Sequence, residues 1–247
     1  YAKQKIKKAV SFIFDFEESA LYFPSPSLSP YHEGELSLAV RAQEAVALAR
    51  LADGEARLLL ATPRSLFRRL PSRAAFLAAA RDVARGAIVE VDELVAHLLD
   101  HGYRRLDLVA EVGEVAVRGG VVDVFPPGEA GPIRLDLFGD EVESVRRFDP
   151  VTQRSAEELG GARLLPLALF PEGAAEATRL AEVLGALLAE APGRETAEHL
   201  AALRERGRFP GWESCLSLLA ESTLGLAEWL PAGGMLVAVD APTLGAE

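Results

Sequence analysis

Few residues in this chain have the type and spacing for bond-making chemistry. Of the four histidines, His97 and His101 stand four apart in "ELVAHLLDH". On a helix that spacing puts two imidazoles on one face, which is half of a metal site. No third ligand stands nearby, so two partly solvated helix histidines are the expectation. The stretch "MLVAVDAP" places Asp240 at the end of an apolar strand, where nucleotide-hydrolysing folds keep a magnesium-binding carboxylate. That acid works beside a phosphate loop G-x-x-x-x-G-K-[ST]. Every lysine of this chain is Lys3, Lys5, Lys7 or Lys8, and no such loop occurs. There is also no G-x-S-x-G elbow and no H-E-x-x-H. Asp140, Glu141 and Glu143 form an acidic turn, expected to be solvated. The single cysteine, Cys215 in "SCLSLLA", excludes an intramolecular disulfide and a multi-cysteine zinc site and reads as a small core residue.

Binding is better served than catalysis. In "PIRLDLF" the alternation turns Ile133, Leu135 and Leu137 to one side and Arg134, Asp136 and Phe138 to the other. In "EVAVR" the same logic puts Val115 and Val117 on the core side and Arg118 outside with Glu114. Two arginines and a phenylalanine can therefore share one exposed sheet face, and these residue types are enriched at interface hot spots. The competing arrangement buries Phe138 under a loop and pairs the arginines with Asp136 or Glu114; alternation does not separate the two. Gly119 and Gly120 allow a bulge or a positive-φ turn that re-aims Arg118. Pro126 and Pro127 end the next strand, and Gly128 allows the tight turn back. This region reads as a rigid platform that displays side chains.

The elements that must position these residues fall into three stretches. Residues 1–77 read as α/β: a strand in "SALYF", a Pro/Ser loop, a helix in "ELSLAVRAQEAVALARLADG", an apolar strand "ARLLLAT" of the type buried on both faces, and a short helix opened by Pro63. A further helix around Ile6, Val10 and Ile13 suggests that the chain begins inside a larger protein. Residues 78–167 hold one amphipathic helix, with Leu94, Val95, Leu98 and Leu99 inward and Gly102 just past its end, then a meander of three or four antiparallel strands. Residues 168–247 return to helices, "SCLSLLAESTLGLAEWL" among them, and close on the strand at Asp240. The order suggests a small module inserted into a larger fold. With 247 residues and 49% hydrophobic content the chain can bury a sizeable core. A net charge of -11 argues against a surface that binds nucleic acid mainly through charge, while leaving room for a local basic patch. The single cysteine fits a reducing cytoplasm, and no apolar run reaches the roughly 18 residues of a membrane span.

The stretch "HGYRRLDLVAEVGEVAVRGGVVDVFPPGEAGPIRLDLFGDEVESVRRFDPVTQRS", residues 101 to 155, closely resembles the N-terminal part of bacterial transcription-repair-coupling factors. "LYFPSPSLSPY" and "LLPLALFP" fit the flanks more loosely. The resemblance implies a degenerate copy of the damage-recognition subunit UvrB: a RecA/helicase-like α/β domain made of domains 1a (residues 1–77) and 1b (168–247), with the α+β domain 2 (78–167) inserted. It implies that ATP binding has been lost and that domain 2 recruits UvrA, which starts nucleotide excision repair. The family's two arginines and phenylalanine that contact UvrA fall on Arg118, Arg134 and Phe138. In full-length members an RNA-polymerase-binding domain and a double-stranded-DNA translocase follow, the latter using ATP and magnesium. The C-terminal domain masks the UvrA face there, so this segment is expected to be open. The alternative is a fragment of UvrB itself, whose phosphate loop would precede Tyr1. The "RGGVVDVFPPG" wording and the short passage after "SPY" argue against it. No cofactor and no catalytic residue are expected in this segment.

Overall fold

The computed structural model describes residues 20–24, 37–56, 58–189 and 193–232. The expected helix before residue 20, the Pro/Ser loop and the strand at Asp240 lie outside the described residues.

Apolar strands and one long helix open the fold. β1 (Ala20–Phe23) pairs in parallel with β2 (Leu58–Ala61), and α1 (Leu38–Ala52) connects them. β2 is half-buried along its length rather than buried on both faces, because among the described residues only β1 pairs with it. α2 (Pro63–Leu66) starts as its proline predicts, with Thr62 Oγ1 accepting from the Ser65 amide at 3.4 Å. β3 (Leu70–Pro71) and α3 (Arg73–Ala79) follow. This unit buries Leu21, Phe23, Leu48, Leu70 and Phe76 in one cluster with Leu226 and Trp229 from the far end of the described chain. The Trp229 indole packs edge-on against Phe76 and donates to the Pro71 carbonyl at 3.0 Å.

The middle of the chain has its own core. β4 (Arg81–Ala84) pairs with β11 (Gly161–Leu164), closing the stretch at both ends. Between them lie α4 (Val91–Asp100) and a six-stranded sheet of β5 (Arg104–Arg105), β6 (Glu114–Arg118), β7 (Val121–Val124), β8 (Ile133–Phe138), β9 (Glu141–Phe148) and β10 (Ser155–Leu159). β6 to β10 are the antiparallel meander, longer than expected, and β5 adds to its edge in parallel. Valines and leucines at every second position meet Leu94, Val95 and Leu98 of α4. Leu99, expected inward, is 37% exposed because it lies past the packed stripe of the helix. α4 ends in a Schellman arrangement. Tyr103 N donates to Leu98 O at 3.0 Å and Gly102 N to Leu99 O at 3.1 Å, with Gly102 at φ +88°.

The last stretch contains α5 (Ala174–Leu187) and α6 (Arg194–Arg206), which pack with Trp212 and Leu216. The single helix expected over "SCLSLLAESTLGLAEWL" is instead two 3₁₀ turns, Trp212–Leu219 and Leu226–Trp229, separated by β12 (Thr223–Leu224), which pairs with β3. Gly225 in extended conformation interrupts the helical pattern there. Cys215 is half-buried against this cluster, and burial pushes its thiol pKa up. The architecture is mixed α/β, with small antiparallel sheets and packed helices. Among the described residues no helix is long and apolar enough to cross a membrane.

Candidate interaction face of the six-stranded sheet

The two faces of the sheet are chemically different. Val115, Val122, Val124, Ile133, Leu135, Val142 and Val145 point inward and are fully buried. The other face receives their sequence neighbours. Cross-strand register lines these up in rows: Arg118 beside Val121, Asp136 and Ser144, and Ala116 beside Asp123, Arg134 and Arg146.

One half of this outer face is covered. Val109, Ala116 and Phe148 form a second small core with Phe125. Glu114, expected outside in solvent, lies under the same loop and is buried. Its carboxylate accepts from the amides of Ala110 and Glu111, both at 2.8 Å, so it fixes the loop over the sheet. The turn after β9 closes the cover. Asp149 Oδ1 accepts from the Val151 and Thr152 amides, and these amide bonds hold its carboxyl below the usual carboxylate range. Gln153 sits at φ +59°, and its side-chain amide reaches Val109 O and Pro150 O.

The other half is open, and Asp123 organises it. This carboxylate is 1% exposed. It accepts two parallel bonds from Arg134, Nε to Oδ1 at 2.7 Å and one terminal nitrogen to Oδ2 at 2.8 Å, and a third bond from Arg118 at 2.5 Å. The Arg134 guanidinium also lies 4.6 Å from the Phe148 ring centroid and donates to Gln153 O at 3.4 Å. Its bonds to Asp123 raise its pKa further. Arg134 is therefore largely a fixed element of the face, with 16% of its side chain exposed, whereas Arg118 keeps 44%. Asp136 accepts from Ser144 Oγ at 2.6 Å and from Arg146. Burial pushes the Asp136 carboxyl up, but those bonds and the charges of Arg146 and Arg134 hold it below its usual range. The arginines thus pair with Asp123, and neither of the partners weighed from sequence, Asp136 or Glu114, takes them. Asp123 was missed although its alternation in "VVDVF", opposite to the valines, places it on the arginine side.

Phe138 closes the open half. It is 77% exposed at the end of β8, on the outer face with Arg134 and Asp136. No loop covers it. The hairpin behind it turns at Gly139 and Asp140, with Gly139 at φ +60°. The neighbouring hairpin, at the same end of the sheet, carries Arg118. Gly119 there adopts φ +59°, but Gly120 does not take a positive φ. Glycine at position 120 meets a different need. Its carbonyl accepts from Leu137 N at 2.7 Å, and an added Cβ would stand 2.7 Å from Leu137 O. This close approach sits beside a bulge that leaves Glu143 unpaired between Val142 and Ser144. Pro126 and Pro127 are buried at the end of β7, and Gly128, at φ +90°, turns the chain where an added Cβ would stand 3.3 Å from the Val46 side chain of α1.

The remaining candidates hold no chemistry of this kind. The His97 and His101 rings are tilted by 33° with centroids 4.1 Å apart; His97 bonds Ala79 O and Arg81, and His101 Nδ1 bonds His97 O. Among the described residues no three His, Cys, Asp or Glu side chains group to hold a metal ion. Arg146 and Arg147 are half-buried and ion-paired, the former with Asp136 and the latter with Glu129 and Glu157. A cleft of about 390 Å³ lies away from the sheet face, lined by Leu38, Tyr103 and Trp212. Its Arg41 bonds Glu172 at 2.7 Å and Glu213 at 3.1 Å, so that cation is matched internally.

Comparison with known proteins covers the stretch that holds this sheet. Residues 82–170, which contain the whole sheet, match the family model described as the UvrB interaction domain. The chain is 32% identical over 180 residues to the transcription-repair-coupling factor of Bacillus subtilis, covering 72% of this chain and 15% of that protein. It is 33% identical over 223 residues to that of Myxococcus xanthus, covering 85% and 18%, and 44% identical over 89 residues to that of Haemophilus influenzae, covering 36% and 8%. The chain thus spans less than a fifth of the length of these relatives. The chain is thus similar to transcription-repair-coupling factors, and its residues 82–170 are similar to the UvrB interaction domain.

Proposed function

We propose that this chain is the recruiting part of a transcription-repair-coupling factor, and that the open half of the outer sheet face docks UvrA during transcription-coupled nucleotide excision repair. The observation that carries the reading is Phe138, a large aromatic 77% exposed on a rigid hairpin beside two arginines. Burying it in an apolar pocket supplies most of the contact energy. Arg118, half-exposed, donates to a carboxylate or carbonyl of the partner. Arg134 positions Asp123, which in turn fixes Arg118, and offers the partner only its exposed edge. In this reading the segment itself is non-catalytic. We assign RNA polymerase binding and ATP- and magnesium-dependent movement on double-stranded DNA, which the resemblance implies for full-length members, to parts of such a protein outside this segment. The flanking α/β elements then descend from a degenerate RecA/helicase-like domain around the inserted sheet.

The test is calorimetry of the chain with purified UvrA. Phe138→Ala should weaken binding by about 2 kcal/mol or more, roughly 30-fold, with an unchanged melting temperature. Arg118→Glu should also weaken it, since its outer edge is free to meet the partner. A folded chain that does not bind UvrA, or a Phe138→Ala variant that binds like the parent, rejects the assignment.

A further inference from the structure

We propose that Ile88 is a second apolar anchor of the same docking surface, so that UvrA contacts a row of three side chains, Ile88, Glu141 and Phe138, rather than one hairpin tip. The inference rests on the UvrA reading above and extends it to a segment outside the meander.

The row follows from backbone register. Residues 86–89 run antiparallel along the first residues of β9, on the edge away from β8. Val89 N donates to Asp140 O at 2.7 Å, Val142 N to Ala87 O at 2.9 Å and Gly86 N to Val142 O at 2.8 Å. This pattern sets Ile88 directly opposite Glu141. Glu141 in turn stands opposite Phe138 on β8. Directly opposed residues of an antiparallel pair project from the same face. Ile88, Glu141 and Phe138 therefore point to one side, across two strand spacings or roughly 10 Å. The flanking residues agree: Val89 packs against the inner core and Val142 is fully buried in it, so their neighbours Ile88 and Glu141 are sent outward.

Exposure makes the row more than a geometric accident. Ile88 is 74% exposed, close to the value for Phe138, and Glu141 is exposed between them. A scattered exposed isoleucine needs no explanation. One held in register with the exposed phenylalanine of a proposed interface does, because a partner that buries Phe138 meets Ile88 on the same row. The domain match also begins at residue 82, so it includes this segment. The chemistry expected of UvrA's surface follows: apolar side chains lying along the Ile88–Phe138 row, a basic group facing Glu141, and an acidic or carbonyl group facing Arg118.

The test is calorimetry with purified UvrA on the parent chain, Ile88→Ala, Ile88→Thr, Phe138→Ala and, as a remote control, Leu187→Ala on α5, also largely exposed. Ile88→Thr keeps a β-branched residue on the strand, so it separates lost contact from a loosened edge. We expect both Ile88 variants to bind about fivefold more weakly or worse, with unchanged melting temperatures, and Leu187→Ala to bind like the parent. Parent-like binding by both Ile88 variants while Phe138→Ala is weakened overturns the second anchor and leaves the UvrA reading standing. A folded parent chain that does not bind UvrA overturns both.

Discussion

The two faces of the six-stranded sheet use the same strands for opposite purposes. On the inner face every second residue is apolar, and most are fully buried in the core shared with α4. On the open half of the outer face charged residues recur between them, and one buried carboxylate, Asp123, gathers two arginines. The inner face gains its energy from area removed from water. The outer face gains little stability from its ion pairs, because each charge must first be desolvated. What the outer network gives is position: a two-bond fork on Arg134, a ring beneath it, and a third bond that aims Arg118. A folding face tolerates no polar group without a partner, whereas a docking face needs its groups held still and left partly open.

The largest effect that would break this comparison is at Leu135. Leu135→Ala should cost about 2–5 kcal/mol of folding stability by leaving a cavity against α4. Phe138→Ala, three residues on, should leave stability nearly unchanged and act on binding alone. Urea unfolding of both variants decides it; a Phe138→Ala chain that unfolds earlier than Leu135→Ala would mean the faces have been assigned the wrong way round. Asp123→Ala should come next, at about 2–3 kcal/mol, because it removes the acceptor of three charged hydrogen bonds. Unlike Phe138→Ala it should reduce both stability and UvrA affinity, since Arg118 loses the group that aims it.

The alternation that assigned the two faces was legible in the sequence because a strand has a period of two and this sheet buries one side only. The strands, α4 and its glycine stop were legible for the same local reasons. Pairing was not. Nothing in "EVAVR" says that Glu114 will be buried under its own loop, since that depends on where Ala110 and Glu111 return in space. Asp123 could have been placed on the arginine face but not identified as their shared acceptor without the register of β6, β7 and β8. Ile88 had no sequence signal, because its significance comes from a bridge between stretches more than fifty residues apart in the chain. The tail helix failed for a local reason: helical spacing persisted through Gly225, while the chain there pairs with β3.

Gly120 sharpens the comparison at the seam between the faces. Gly120→Ala would force a Cβ to within 2.7 Å of the Leu137 carbonyl oxygen, with backbone on both sides. The β6–β7 hairpin must then shift away from the bulge, at a cost of about 1–3 kcal/mol. Gly119→Ala meets no neighbouring atom, and its penalty is confined to φ +59°, about 1 kcal/mol. Thermal melts of the two variants should rank Gly120→Ala below Gly119→Ala. The reverse order would mean that turn conformation, not contact with β8, holds this hairpin.

Proton concentration should separate the faces with the smallest effect. The helix that covers the inner face carries His101 at its end, where burial is the main cause lowering the imidazole pKa. The neighbouring His97 and Arg81 charges also lower it, while the bond to His97 O and the Asp100 charge oppose them. A base whose folded pKa lies below its unfolded value of about 6.5 binds fewer protons when folded. Its contribution to stability is therefore complete above that pH and declines as the pH falls below it. The outer face has no comparable group: the Asp136 carboxyl is held below its usual range and the Arg134 guanidinium above, so neither titrates near neutrality. Urea midpoints should drop between pH 7.5 and pH 5.5, and the drop should shrink in His101→Asn, which keeps a donor for His97 O without a titrating ring. An equal drop in the variant would move the proton uptake away from α4 and remove this distinction between the faces.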